Sequence, residues 1–188
     1  MYKLTDNNSV IRISDGACIP FAEGNRDYQE YKEWIAQGNV PQPAHTNEEL
    51  LASARAKKLA EIDTWTAEHI TGGFISDCTG VSVKYDSDKD TQITMQGIAL
   101  NVANIAAEYP SGIPVRGYIG TAIVKTVQYL TGAQLLQWCA DLSSHIGQCK
   151  QIGWELQAAV NDPNATTDSI KSIVWPESEL NEITGEDY

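Results

Sequence analysis

Residues 9–41 read SVIRISDGACIPFAEGNRDYQEYKEWIAQGNVP, and both kinds of secondary structure are already legible in them. Val10-Ile11-Arg12-Ile13 is rich in β-branched side chains, which suit a pleated strand, and Ser14-Asp15-Gly16 supplies turn chemistry. A strand–turn–strand hairpin is expected here. Asn25 offers a side-chain oxygen to cap a following helix. On that helix Tyr28, Tyr31 and Ile35 share one face, with Trp34 beside them, and Gly38 and Pro41 stop it.

Beyond this stretch the pattern becomes more helical. Thr46-Asn47-Glu48-Glu49 forms a capping box, and Leu51, Ala54, Leu59, Ile62, Trp65 and His69 follow at helical spacing until Gly72-Gly73. Residues 74–77 and 81–85 read as a hairpin around Thr79-Gly80. A second helix is expected over 87–108, started by Ser87 with Asp90, and β structure over 113–130. The longest helix begins at the capping box Thr131/Gln134 and ends at Asn161-Asp162-Pro163. A short last helix is capped by Thr167 and runs to Trp175. The expected fold is α+β: a small β-hairpin plus short helix module over 1–37, a linker over 38–46, and a main domain over 47–175. In the main domain about three longer helices pack on short antiparallel strands. An acidic tail over 176–188 completes the chain.

The 188 residues suffice for a hydrophobic core, and their net charge is −12. That charge argues against a nucleic-acid partner, because phosphate contacts need clustered Lys and Arg. Five acids (Glu177, Glu179, Glu182, Glu186 and Asp187) follow Pro176 without a base, a segment expected to be a solvated extension ordered against a neighbour. The start of the chain lacks a signal-peptide pattern, and no apolar run reaches the roughly 20 residues of a membrane span, so a soluble, cytosolically made protein without membrane insertion is expected. Cys18, Cys78, Cys139 and Cys149 lack ligand spacing and read as buried free thiols.

Arg12, Ser14, Asp15, Gly16, Ile19, Pro20, Asn25, Asp27, Tyr28, Tyr31, Trp34, Gly38, Asn39, Pro41 and Pro43 match an "IRxSDGAxIPxxxxNxDYxEYxxWxxxGNxPxP" pattern. The segment thereby resembles a module recurrent in tail-fibre and tail-assembly proteins of tailed bacteriophages, where it precedes a larger domain of unknown function. KKLAEIDTWTAEHITGG, GVSVKYDSDKDTQ, LTGAQLLQWCADLSSHIGQC and LQAAVNDPNATTDSIKSIVW extend the resemblance into that domain. It implies a virion tail component, made in the host cytoplasm, whose partners are other tail proteins of the fibre or baseplate. It brings no catalytic activity or cofactor that could be carried over to this chain.

The residues themselves agree with a non-enzymatic reading. Asp86, Asp88 and Asp90 open like a calcium loop, but Thr91 and Gly97 stand where the turn glycine and closing Glu belong, so helix capping is the expected role. His45, His69 and His145 fall in separate segments without a catalytic motif, and Cys139 and His145 lie on different faces of one helix. Trp34, Trp65, Trp138, Trp154 and Trp175 all fall on expected helices, where core packing competes with a sugar-stacking platform. Leu135, Cys139, Leu142, Ile146, Cys149, Gly153, Leu156 and Val160 alternate four and three residues apart. That seam suits packing on the domain's own sheet, or self-association through Leu135, Leu142, Ile146, Leu156 and Val160, with a trimer the natural form in a fibre. Tyr28, Tyr31, Trp34 and Ile35 are the candidate anchors for a protein partner, unless they pack the hairpin on its helix. A structural or adaptor role in the tail is expected. Its alternative is a tail-fibre assembly chaperone that binds the fibre tip.

Overall fold

A computed structural model describes residues 1–176 of the chain, so the expected acidic tail lies almost wholly outside the described residues. Two compact units are present, Met1–Ala54 and a second from Arg55 onward. In the first, β1 (Tyr2–Leu4), β2 (Ser9–Arg12) and β3 (Ala17–Pro20) form an antiparallel sheet in that order, followed by α1 (Arg26–Ala36). The expected hairpin is β2–β3. The third strand, β1, is three residues long and too short to show a period, yet its Tyr2 is a core residue. Tyr2, Val10, Ile19 and Tyr31 are buried together, with Tyr28 and Trp34 packed against them. Tyr2 meets Tyr31 and Trp34 edge-to-face at 5.0 and 5.1 Å. Asn25 caps α1 as expected, its Oδ1 accepting from the amides of Asp27 and Tyr28. Part of the expected linker also pairs with this sheet: Leu4 N–H donates to Gln42 O, and Gln42 N–H to Tyr2 O, both at 2.8 Å.

Helix α2 (Asn47–Thr71) starts from the Thr46/Glu49 capping box and continues into the second unit. There β4 (Phe74–Ser76), β5 (Val83–Tyr85), β6 (Ile113–Ile119) and β7 (Thr126–Leu130) form an antiparallel sheet in sequence order. The helix expected over 87–108 is two: α3 (Lys89–Leu100) and α4 (Val102–Glu108). Asn101 leaves helical geometry at φ −128°, ψ 33°, and its Oδ1 accepts from Asn104 Nδ2 at 2.7 Å across the break. The cap of α3 is Asp88 and not Ser87. Ser87 is fully buried and spends its hydroxyl on closing the α2–β4 turn, donating to Ile70 O and accepting from Gly73 N–H. Gly73 itself is at φ +98°, where a Cβ would lie 2.8 Å from Tyr85 O, so the turn admits glycine alone. Helix α5 (Gly132–Val160) carries the expected capping box, and α6 (Thr167–Lys171) is capped by Thr166, one residue earlier than expected. It ends at Lys171, so Trp175 is on no helix.

The core of the second unit lies between the sheet and α3 and α5. Phe74, Val83 and Tyr85 from the sheet meet Met95, Leu135, Trp138 and Leu142 from the helices. Trp138 is the largest fully buried side chain, edge-to-face with Phe74 at 4.9 Å and Tyr85 at 5.9 Å. Its Nε1–H has no hydrogen-bond partner among the described residues, a cost the aromatic packing outweighs. Further along α5, the partner is α2, antiparallel to it. Arg55 Nε donates to Val160 O, Gln157 Nε2 to Asp63, and Gly153 lies so close to Thr66 that a Cβ would meet its hydroxyl at 2.5 Å. Most of the seam thus packs inside the unit, as expected of an amphipathic helix on its own domain. Leu135, Leu142 and Val160 are buried, and Ile146 and Leu156 half-buried. Trp138→Ala should lower unfolding free energy by about 3–5 kcal/mol, while Trp154→Ala, at a position 65 % exposed, should stay within about 0.5 kcal/mol. Urea unfolding of the two variants is the measurement.

Candidate functional site

The four proposed anchors of the first unit are unequal. Tyr31 is buried, Tyr28 and Trp34 are half-buried in the aromatic cluster, and Ile35 at 36 % exposure is the one left open. Phe21 extends the cluster, tilted against Tyr28 at 5.1 Å and stacked on Tyr31 at 5.9 Å. Arg12 clips the turn to the helix: its guanidinium donates to both carboxylate oxygens of Asp15 and to Asp27 Oδ1. The bond from Arg12 holds the Asp15 carboxyl below the ordinary carboxylate range. These residues hold the module together, and three of the four anchors are largely spent on that.

The second unit contains a polar groove of about 690 Å³. Its floor is one face of α5, its walls are β4 and the carboxyl end of α2, and Trp175 lies across one side. The sequence predicts helical positions for Gln137, Asp141, Ser144, His145 and Gln148, and their spacings of four, three, one and three place them on one side of the helix. Asp141 Oδ2 accepts from Ser76 Oγ at 2.5 Å and Oδ1 from Gln137 Nε2 at 2.7 Å, which fixes the carboxylate across the α5–β4 seam. His145 Nε2 lies 3.0 Å from His69 O. A carbonyl only accepts, so Nε2 carries the proton and Nδ1 is the acceptor. His69 in turn stacks on Trp175, ring centres 4.3 Å apart and planes within 11°. Burial lowers the pKa of both histidines from the ordinary imidazole value of about 6.5.

The acids that open like a calcium loop are spent on a cap and an ion pair, in keeping with the capping role expected of them. Asp86 binds Lys125 at 2.6 Å, while Asp88 caps α3, its carboxyl held down by bonds from Thr91. Among the described residues no three His, Cys, Asp or Glu side chains converge to hold a metal ion. All four cysteines are free, and Cys18 is exposed and not buried as expected. The thiol near His145 is Cys149, one turn further along α5 at 3.7 Å, whereas Cys139 points to Met95 O. Burial pushes both thiols up, which keeps them protonated. Of the tryptophans, Trp138 is core, Trp65 lies beneath Lys58 Nζ at 5.0 Å, and Trp175 alone lines the groove together with polar side chains. Among the described residues no helix is long and apolar enough to cross a membrane.

Because His69 and His145 bind a proton less readily folded than unfolded, the unfolded state gains protons first as pH falls below about 6.5. Their contribution to stability is full above that value and is lost as pH falls through it. Urea midpoints should therefore drop between about pH 7 and pH 5.5. The double variant His69→Gln, His145→Gln should show a shallower drop, and equal slopes would contradict this account.

No curated protein and no solved structure matches this chain. Residues 53–174 match one family model, described as "Domain of unknown function (DUF4376)". The matched segment begins inside α2, takes in the whole four-stranded sheet with α3 to α6, and ends one residue before Trp175. Covering well over half of the 188 residues, it shows that the chain belongs to the DUF4376 family.

Proposed function

We propose that this protein is a non-enzymatic structural or adaptor component of a bacteriophage tail, in the fibre or baseplate region, acting through contacts with other tail proteins. The observation that carries the reading is the use to which the amino-terminal pattern is put. Arg12 is spent on Asp15 and Asp27, Asn25 on the amides of α1, and Tyr31 and Trp34 on Tyr2. A motif whose polar members bond to one another preserves a shape. A catalytic motif would present them to a ligand. The resemblance of that motif to tail-fibre and tail-assembly proteins supplies the setting.

In this reading the contact surface is made of what the module leaves outside. Ile13, Phe21 and Ile35 are exposed at its surface, and Val40 is 82 % exposed. Apolar side chains of this size are the natural anchors of an interface, with Tyr28 and Trp34 supporting them from beneath. Mass spectrometry of purified virions tests the role. The chain should be recovered at a fixed ratio to known tail proteins. Recovery from infected cells but not from mature particles would overturn the structural role and indicate the assembly chaperone instead.

A further inference from the structure

The groove of the second unit has a chemistry of its own, and it stands whatever particle or complex carries the chain. Along its floor α5 alternates donors and acceptors: the amides of Gln137 and Gln148, the carboxylate of Asp141, the hydroxyl of Ser144 and Nδ1 of His145. From residue 137 to 148 this stripe is roughly 16 Å long, at 1.5 Å per residue. The half-buried Trp175, braced by His69, supplies an aromatic wall.

Several ligand classes fit this lining poorly. A phosphate needs converging cations, yet Lys84 shares the lining with the acids Glu68, Asp77 and Asp141, and burial lowers the pKa of both histidines, which favours their neutral form near pH 7. A metal ion needs three converging ligands, and no such group exists among the described residues. An apolar molecule would leave the amides and carboxylate unpaired. A peptide strand could add to β4, an edge strand among the described residues, but that strand is three residues long and offers few main-chain groups. A polyhydroxylated ligand meets all of these conditions. Each hydroxyl both donates and accepts, and the C–H face of a sugar ring is flat and apolar enough to lie on an indole.

We infer that the groove is a saccharide-binding site. A short neutral oligosaccharide lies along the Gln137-to-Gln148 stripe of α5, with one ring against the Trp175–His69 pair. Asp141 is the fixed acceptor, because Ser76 and Gln137 hold it in place while it keeps further lone pairs. Gln148, exposed one turn beyond His145 and Ser144, contributes both a donor and an acceptor.

The test uses the full chain on an array of bacterial surface polysaccharides and neutral oligosaccharides, with phosphorylated sugars and acidic peptides alongside. Calorimetry then follows with the best-bound oligosaccharide. A neutral glycan should bind, and Trp175→Ala and Gln148→Ala should each weaken its Kd about tenfold, the loss of one stacking or hydrogen-bonded contact. Gln148 is exposed, so Gln148→Ala should keep its thermal unfolding while losing affinity. Binding of no glycan on the array would overturn the inference. So would a glycan whose affinity ignores both substitutions, or a preference for the phosphorylated or peptide probes.

Discussion

Helix α5 must bury a strip of apolar side chains along its whole length, and no single partner covers all of it. The amino-terminal half finds the sheet, where Leu135, Trp138 and Leu142 meet Phe74, Val83 and Tyr85. The carboxyl-terminal half finds α2, where Gly153 admits Thr66 and Arg55 binds the last carbonyls. The sheet and α2 are joined by the tight Gly72–Gly73 turn, so both partners are held at once by Ser87. Burying side chains of this size contributes about 1.5–3 kcal/mol each, which makes this two-partner helix the largest source of order in the second unit.

The groove is a by-product of that division. Where α5 passes from one partner to the other, its polar stripe faces the gap between β4 and the end of α2. The bonds that line the gap also hold it open: Ser76 to Asp141 ties helix to strand, and His145 to His69 ties helix to helix. A cleft whose polar groups are already oriented needs little reorganisation to take a ligand, and its neutral histidines add hydrogen-bonding capacity without charge.

The first unit solves a different problem. With a core of four buried residues it is too small to be held by apolar burial alone. Arg12 compensates by crossing from the sheet to the turn and to the first turn of α1, and the aromatic rings of Tyr2, Phe21, Tyr28, Tyr31 and Trp34 pack on one another. Surface ion pairs contribute little singly, so the clip matters mainly by orienting the turn on the helix. What is left for a partner is the outer rim of this cluster.

Much of this was readable residue by residue. The caps at Asn25, Thr46 and Thr131, the β2–β3 and β4–β5 hairpins and the extent of α5 follow from local chemistry, because a side chain that satisfies an orphan amide does so within a few residues. The polar stripe of α5 did not stand out, because an apolar seam leaves the opposite residues as an ordinary solvated face. Three things depended on tertiary structure. Strand β1 places Tyr2 against Tyr31, the helix expected from Ser87 starts later because Ser87 is claimed by Ile70 and Gly73, and the heptad seam of α5 packs on the sheet and α2. The groove belongs with these. Trp175 and His69 are 106 positions apart in sequence order, and only the antiparallel return of α5 along α2 brings them, with His145, to one place.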